Sequence, residues 1–248
     1  MLNIFKIEEK ERGKIYHIRI INEDIELMMQ INKRTIILVI AVAMCVVASY
    51  AAYASTVSAE RGDIYFLYLH VPTISVCYIA FSISLIASIA FLAKRKLVYD
   101  RTAEVSAMLG LVYGAVALIA GAIWAKSAWG AYWTWNPKQT ITLILWIAYM
   151  GYVSIKLSIG NVEKRALVGA VYNILAFFLI PLNYLSAMLW WTPHTTLSEF
   201  TMTPQIMAAL LLNILAAALF FVYLLITTAE VKYLEERVNV LLYEKGGM

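Results

Sequence analysis

The sequence predicts an all-α fold: a polytopic membrane protein of six transmembrane helices with both termini in the cytoplasm. Three observations carry this expectation. Hydrophobic residues make up 62% of the 248 positions and charged residues only 15%, against about 25% charged in a soluble protein, and the mean hydropathy is +0.74. The apolar residues gather into six runs, each near or above the ~20 residues that cross ~30 Å of hydrocarbon at 1.5 Å per residue. Threading those runs in order puts 17 of the 20 lysines and arginines on one side of the membrane.

Residues 1–32 form a polar segment of mixed charge, expected to be a cytoplasmic extension. No apolar h-region lies near its start, so it does not read as a cleavable signal peptide. Alternation around Ile15–Ile21 fits a short strand, a helix or disorder, and His17 reads as a solvated histidine among charges. Residues 33–231 are the predicted membrane domain. Its runs are Thr35 to about Thr56, Ile64–Ala93, Ala103–Ala125, Thr140–Ile159, Ala166–Leu189 and Pro204–Thr228. The second is long enough to hold an interfacial turn around His70-Val71-Pro72. Pro181 lies inside the fifth, where its missing N–H should kink the helix, and Pro204 suits the first turn of the sixth. Residues 232–248 are a predicted cytoplasmic tail.

The positive charges set the orientation. Segments 1–34, 94–101, 156–165 and 232–248 carry them and are placed in the cytoplasm, whereas the external side keeps only Arg61, Lys126 and Lys138. Loops 57–63, 126–139 and 190–203 then lie outside. Cys45 and Cys77 each sit in an apolar run without a CxxC or CxxCH pattern, which argues against a disulfide framework, a zinc site or covalently attached c-type haem. Both read as packing residues.

Six of the seven tryptophans fall on the external side. Trp124, Trp129, Trp133 and Trp135 crowd into twelve residues, interrupted by Gly130 and closed by Asn136-Pro137-Lys138. Trp190 and Trp191 lie in the last external loop, and Trp146 lies about two turns into the membrane. A bilayer aromatic belt enriches Trp at both interfaces. One-sided clustering instead suggests a platform for a large flat ligand.

Two of the three histidines share that side, His70 in YLHVPTISVCY and His194 in LWWTPHTTLSEF. A single interfacial histidine is usually a hydrogen-bonding residue, but a pair flanking a tryptophan cluster points to haem. Its iron takes axial nitrogen ligands and its macrocycle is apolar and flat. Imidazole is largely neutral, and so a good ligand, at neutral pH. Tryptophan rings exclude water, each stacked contact adding about 0.5–1.5 kcal/mol. The propionates call for a cation at the rim, with Lys138 the candidate and Lys126 and Arg61 the alternatives; a snorkelling lysine is the bland reading of Lys138. Zinc fits less well, because only Glu199 and Asp63 are at hand as further ligands. The sequence has no Ser-His-Asp set, no phosphate loop and no nucleic-acid surface. The apolar runs show essentially no paired acids and bases, which disfavours an ion-coupled transporter.

WGAYWTWNPKQT (Trp129–Thr140) resembles the tryptophan-rich external motif of the haem-handling proteins of cytochrome c biogenesis, usually W-G-x-x-W-x-W-D. With YLHVP around His70 and WWTPHTT around His194, the chain over about residues 35–228 resembles the six-span cytochrome c maturation protein C, or haem exporter protein C, family. The resemblance implies non-covalent, transient haem b on the external (periplasmic) face of the cell membrane. It implies His70 and His194 as axial ligands and Trp129, Trp133 and Trp135 as the haem platform, with Gly130, Asn136 and Lys138 in the same motif. The implied partners are a membrane-anchored haem chaperone, ABC-transporter subunits and, indirectly, apocytochrome c, besides membrane lipid. The chain departs from the pattern at Asn136, where the family has Asp. Either that carboxylate mainly caps a turn, which Asn also does, or partner binding differs here. Pro137-Lys138 resembles the larger cytochrome c synthase branch, so a haem ligase acting directly on apocytochrome c is the alternative. A scaffold whose aromatic patch binds only protein is a third reading.

Overall fold

The structure, a computed structural model, describes residues 33–58, 62–190, 194 and 202–246. Six stretches are long and apolar enough to cross a membrane: Lys33–Ser58, Ile64–Lys94, Leu97–Trp129, Pro137–Ser158, Val162–Leu189 and Pro204–Leu242. We label the helices α1 (Lys33–Ser58), α2 (Leu67–Lys94, entered through a 3-10 turn at Gly62–Phe66), α3 (Leu97–Trp129), α4 (Pro137–Ser158), α5 (Val162–Phe177), α6 (Leu179–Leu189) and α7 (Pro204–Gly246). No strand occurs among the described residues; Ile15–Ile21 and His17 lie outside them. Chain contacts divide the protein into two units, 1–40 and 41–248. Of the first, residues 33–40 are the opening turns of α1. The second carries the remainder of α1 and all of α2 to α7.

The local chemistry explains the helix ends. Arg95 takes the left-handed conformation (φ 54°) and its N–H bonds the Phe91 carbonyl at 2.7 Å, closing α2 and reversing the chain into α3 within two residues. Asn161 caps α5, its side chain accepting from Lys164 N–H at 2.9 Å. The fifth span is broken as its proline requires. Pro181 has no N–H for the Phe177 carbonyl, α5 stops at Phe177, and Phe178 N–H turns back to Leu175 O at 3.2 Å before α6 starts. Pro72 behaves differently from expectation. It lies within α2, in the second turn, where the missing N–H forfeits one bond only. The irregular turn falls earlier, at Gly62–Phe66.

The most extensive interface joins α2 and α3. Small residues on α3 let the two backbones approach closely, as membrane helices do. A Cβ on Gly110 would stand 2.6 Å from the Phe81 ring, and one on Gly114 would stand 3.0 Å from the Trp146 ring and 3.2 Å from Cys77 Sγ. Two serines stitch the pair: Ser84 donates to Ala103 O at 2.7 Å and Ser106 donates to Ala80 O at 2.8 Å. From α4, Tyr149 stacks on Phe81 with ring centres 3.5 Å apart, and Trp146 Nε1 donates to Leu111 O at 2.9 Å. Cys77 is a buried packing residue, as expected; Cys45 is only partly buried, and both are free thiols.

One expectation is corrected. Acids and bases do pair between the helices, at the end opposite the tryptophans. Lys156 of α4, 1% exposed, reaches Asp100 at 2.6 Å and Glu104 at 3.1 Å, both on α3. Lys232 of α7 pairs with the same Glu104, and Arg101 bonds Glu236 at 2.6 Å while lying over the Tyr233 ring. The sequence places these groups at the ends of apolar runs. What it does not show is that α3, α4 and α7 converge there and that α7 continues as one helix well past its apolar run, to Gly246. Removing one partner of a buried pair leaves an uncompensated charge, which typically costs about 3–5 kcal/mol. Lys156→Met should therefore lower the thermal midpoint in detergent markedly, and adding Asp100→Leu should recover part of the loss. Equal melting of wild type and Lys156→Met would show that the cluster contributes nothing.

Candidate functional site

At the other end of α3 the aromatic groups converge. The His70 ring, on the first turns of α2, lies 6.0 Å from the Trp124 ring and 6.2 Å from the His194 ring, 23° from parallel to the latter. His194, between α6 and α7, meets Trp129 edge to face at 5.1 Å. Two helix ends and one loop residue thus form a continuous run of four rings. Trp133 and Trp135 form a second, edge-to-face pair 5.8 Å apart. The indole N–H of Trp133 is buried and has no hydrogen-bond partner among the described residues.

His70 is held by a second element. Its Nδ1 lies 2.8 Å from the Ala117 carbonyl of α3. A carbonyl only accepts, so Nδ1 carries the proton and the lone pair resides on Nε2. His194 is kept neutral by its surroundings: burial, the Lys138 ammonium and the neighbouring His70 push its pKa well down from its ordinary value, to about 3. Two neutral imidazoles side by side suit a metal ion far better than they suit each other as cations. Among the described residues, no group of three His, Cys, Asp or Glu side chains gathers as a metal site.

The motif loop is built from local bonds. Gly130 ends α3 in the left-handed region (φ 79°), which glycine adopts freely, and its N–H bonds Lys126 O at 3.1 Å. Its carbonyl accepts from Lys126 Nζ at 2.8 Å, and that ammonium also lies over Tyr132. Lys126, the alternative cation, is thus engaged in the loop, and Arg61 lies outside the described residues, as do Trp191 and Glu199; of Asp63 only the backbone is described. Trp135 is also left-handed (φ 55°) and 70% exposed.

Asn136 is the N-cap of α4. Its Oδ1 accepts from Gln139 N–H at 3.1 Å and its Nδ2 donates to Thr134 Oγ1 at 2.9 Å, while the Thr134 N–H and hydroxyl both donate to Gln139 Oε1 at 3.0 Å. Pro137 fills the first helical position, where an N–H is not needed. Lys138 comes next, half-buried beside a cavity of about 490 Å³ lined also by Tyr78, Phe177, Ile180, Pro181, Asn183 and Tyr184. The lining includes neither histidine. Asn183 fixes this wall, accepting from Tyr78 OH at 2.9 Å and donating to Lys138 O at 3.0 Å and Thr142 Oγ1 at 2.8 Å.

The heme exporter protein C family model matches residues 21–243. The chain belongs to that family. A heme exporter protein C of Rhodobacter capsulatus is 34% identical over 128 residues, 48% of this chain and 53% of the relative. One from Bradyrhizobium diazoefficiens is 27% identical over 180 residues, 71% of this chain and 68% of the relative. A cytochrome c biogenesis protein CcsA of Trieres chinensis is 40% identical over 77 residues, only 31% of this chain and 24% of the relative. The chain spans about half the length of the R. capsulatus protein it matches.

Three features of the site are absent from the residues singled out by motif. Trp124 stands among the external tryptophans without being separated as a neighbour of His70. Asn183 and Tyr78 carry no pattern of their own. Gly121 is one of three glycines, Gly110, Gly114 and Gly121, recurring along one stretch of α3, a small-residue spacing that marks close helix approach but not what lies opposite.

The cap geometry makes a direct test of the Asn136 departure. Asn136→Ala should cost about 1 kcal/mol of stability, the usual value of a lost N-cap. Asn136→Asp should melt within about 0.5 kcal/mol of wild type, because the carboxylate caps equally well and meets the positive end of α4. Destabilisation of the Asp variant as large as that of the Ala variant would show that the loop depends on the amide.

Proposed function

We propose that this chain is a multi-pass haem-handling protein of cytochrome c maturation. It holds haem b non-covalently and transiently at its aromatic end and passes it to a membrane-anchored haem chaperone. The observation that carries the reading is the His70–His194 pair. Metal–imidazole bonds of roughly 2 Å put the centres of two rings that bind one ion from opposite sides about 6 Å apart, and here they are 6.2 Å apart. Haem is cargo in this reading, a substrate that arrives and leaves. When bound, its iron accepts the lone pairs of the two imidazoles.

The remaining residues orient the cargo and shield it. Trp124 and Trp129 flank the histidines and exclude water from the iron. Trp133 offers an N–H that has no partner among the described residues, and Trp133 and Trp135 together form the outward platform. Lys138 has no carboxylate paired with it among the described residues and receives a propionate at the rim. Its cavity falls within the ~300–1,000 Å³ of ordinary small-molecule sites. The basic groups gather at the opposite end of the bundle, which supports a cytoplasmic charged end and an external aromatic end in the cell membrane. ABC-transporter subunits and, through the chaperone, apocytochrome c are the further partners. Direct ligation of haem to apocytochrome c is the lesser reading, because the likeness to the CcsA relative covers under a third of this chain.

Absorption spectra of the purified protein, oxidised and reduced, test this. Wild type should give a six-coordinate bis-histidine signature, and His70→Ala and His194→Ala should each lose it and retain at least roughly 10-fold less haem, since loss of a group that merely supports a metal ligand already costs that much. Unchanged spectra and haem content in both variants would remove the ligand assignment. Co-purification separates the two functional readings: a small haem chaperone favours transfer, and apocytochrome carrying thioether-linked haem favours ligation. Trp133→Ala should weaken chaperone capture by about 2- to 10-fold, one stacked ring's worth, without affecting insertion. Full capture by that variant would leave the platform without a role.

A further inference from the structure

We infer that Gly121 is a positioning residue for His70. Its missing side chain lets the imidazole lie against α3, where the Ala117 carbonyl accepts a hydrogen bond from Nδ1–H and leaves Nε2 as the one nitrogen able to bind a metal. This rests on the reading of His70 as a haem ligand and adds what fixes that ligand's tautomer and direction.

The acceptor comes first. In an α-helix the Ala117 carbonyl already accepts the N–H of Gly121, four residues on. A carbonyl oxygen has two lone pairs, and His70 Nδ1 uses the second at 2.8 Å. The ring must therefore lie directly over residue 121. A Cβ there would stand 2.6 Å from Nδ1, 2.7 Å from Cε1 and 3.6 Å from Cγ. Favourable non-bonded contact needs about 3.5–4.0 Å, so a methyl group forces the ring back by roughly 1 Å. The hydrogen bond then stretches past the ~3.2 Å at which it remains effective.

Nothing else about the position asks for glycine. Gly121 lies well inside α3 and is not among the residues of positive φ, and mid-helix glycine weakens a helix relative to alanine. Space for the imidazole is what it provides. A metal-bound histidine characteristically gives its other N–H to a carbonyl or carboxylate, which sets the tautomer and raises ligand basicity. Here that donation is already made, and it aims Nε2 away from α3. The obstructed atoms belong to a side chain with two rotatable bonds, so the ring can swing aside in a variant without dismantling the α2–α3 interface.

The test uses the full-length protein in detergent, with haemin as the probe. In ¹⁵N-histidine spectra of the apo-protein, the His70 signal, assigned by its loss in His70→Ala, should be that of the Nδ1–H tautomer. In Gly121→Ala it should shift towards Nε2–H. Haemin titration of Gly121→Ala should show roughly 10- to 100-fold weaker binding and a move from a six- towards a five-coordinate spectrum. In a His70→Ala background the same change should have no further effect, the mark of two residues acting through one group. Three results would overturn the inference: wild-type affinity and spectrum in Gly121→Ala, an equal loss with and without His70, or an Nε2–H tautomer in wild type. If wild type takes up no haemin, the haem reading fails and the tautomer still decides the positioning claim. If Gly121→Ala fails to insert, the wild-type tautomer decides it likewise.

Discussion

The close antiparallel packing of α2 on α3 is the constraint on which the rest of the structure depends. In lipid no hydrophobic driving force holds helices together, so the pair relies on close van der Waals contact and interhelical hydrogen bonds. Gly110 and Gly114 admit Phe81, Cys77 and Trp146, and Ser84 and Ser106 exchange bonds with the facing backbone. This fixes the relative height of the two helices, and with it the level at which His70 meets the Ala117 carbonyl. A shift of α2 by one residue along α3, about 1.5 Å, would break that bond and carry His70 away from Trp124 and His194.

α3 also joins the two ends of the site's scaffold. From Asp100 to Trp129 it rises about 43 Å at 1.5 Å per residue, with a buried ion cluster at one end and the aromatic rings at the other. The cluster ties α3 to α4 and α7 through Lys156 and Lys232. Charges buried this well are costly unless paired and fully hydrogen-bonded, so the pairing demands one arrangement of three helices. That arrangement in turn sets where α4 begins, and α4 begins with Asn136, Pro137 and Lys138.

Hydropathy made the six spans legible, because transfer free energy acts on each residue independently. The break near Pro181 was legible because a missing N–H is a property of one residue. The turn expected at Pro72 was not found, since proline is tolerated early in a helix and the sequence offers no other sign of where the helix begins. The ion cluster was not legible for a different reason. Lys156 and Asp100 lie 56 positions apart, and Lys232 and Glu104 lie 128 apart; their pairing is a property of helix packing that charge counting by loop cannot see. The motif named the histidines and tryptophans. It could not name Gly121, whose contribution is an absence of atoms opposite a ring on another helix.

Asn136 shows what the fold adds to a question the sequence leaves open. Where the family pattern ends in Asp, an uncharged amide implies either a turn cap or an altered electrostatic contact. In the structure the side chain is 7% exposed and bonded on both sides within its own loop, to Gln139 N–H and Thr134 Oγ1. A group so enclosed and so engaged has capping as its structural task, and Asn and Asp are near-equivalent N-caps. What a carboxylate would add is one negative charge at the positive end of α4, where it is stabilising. The departure from the pattern therefore costs the loop little, because the amide already makes the cap that a carboxylate would make.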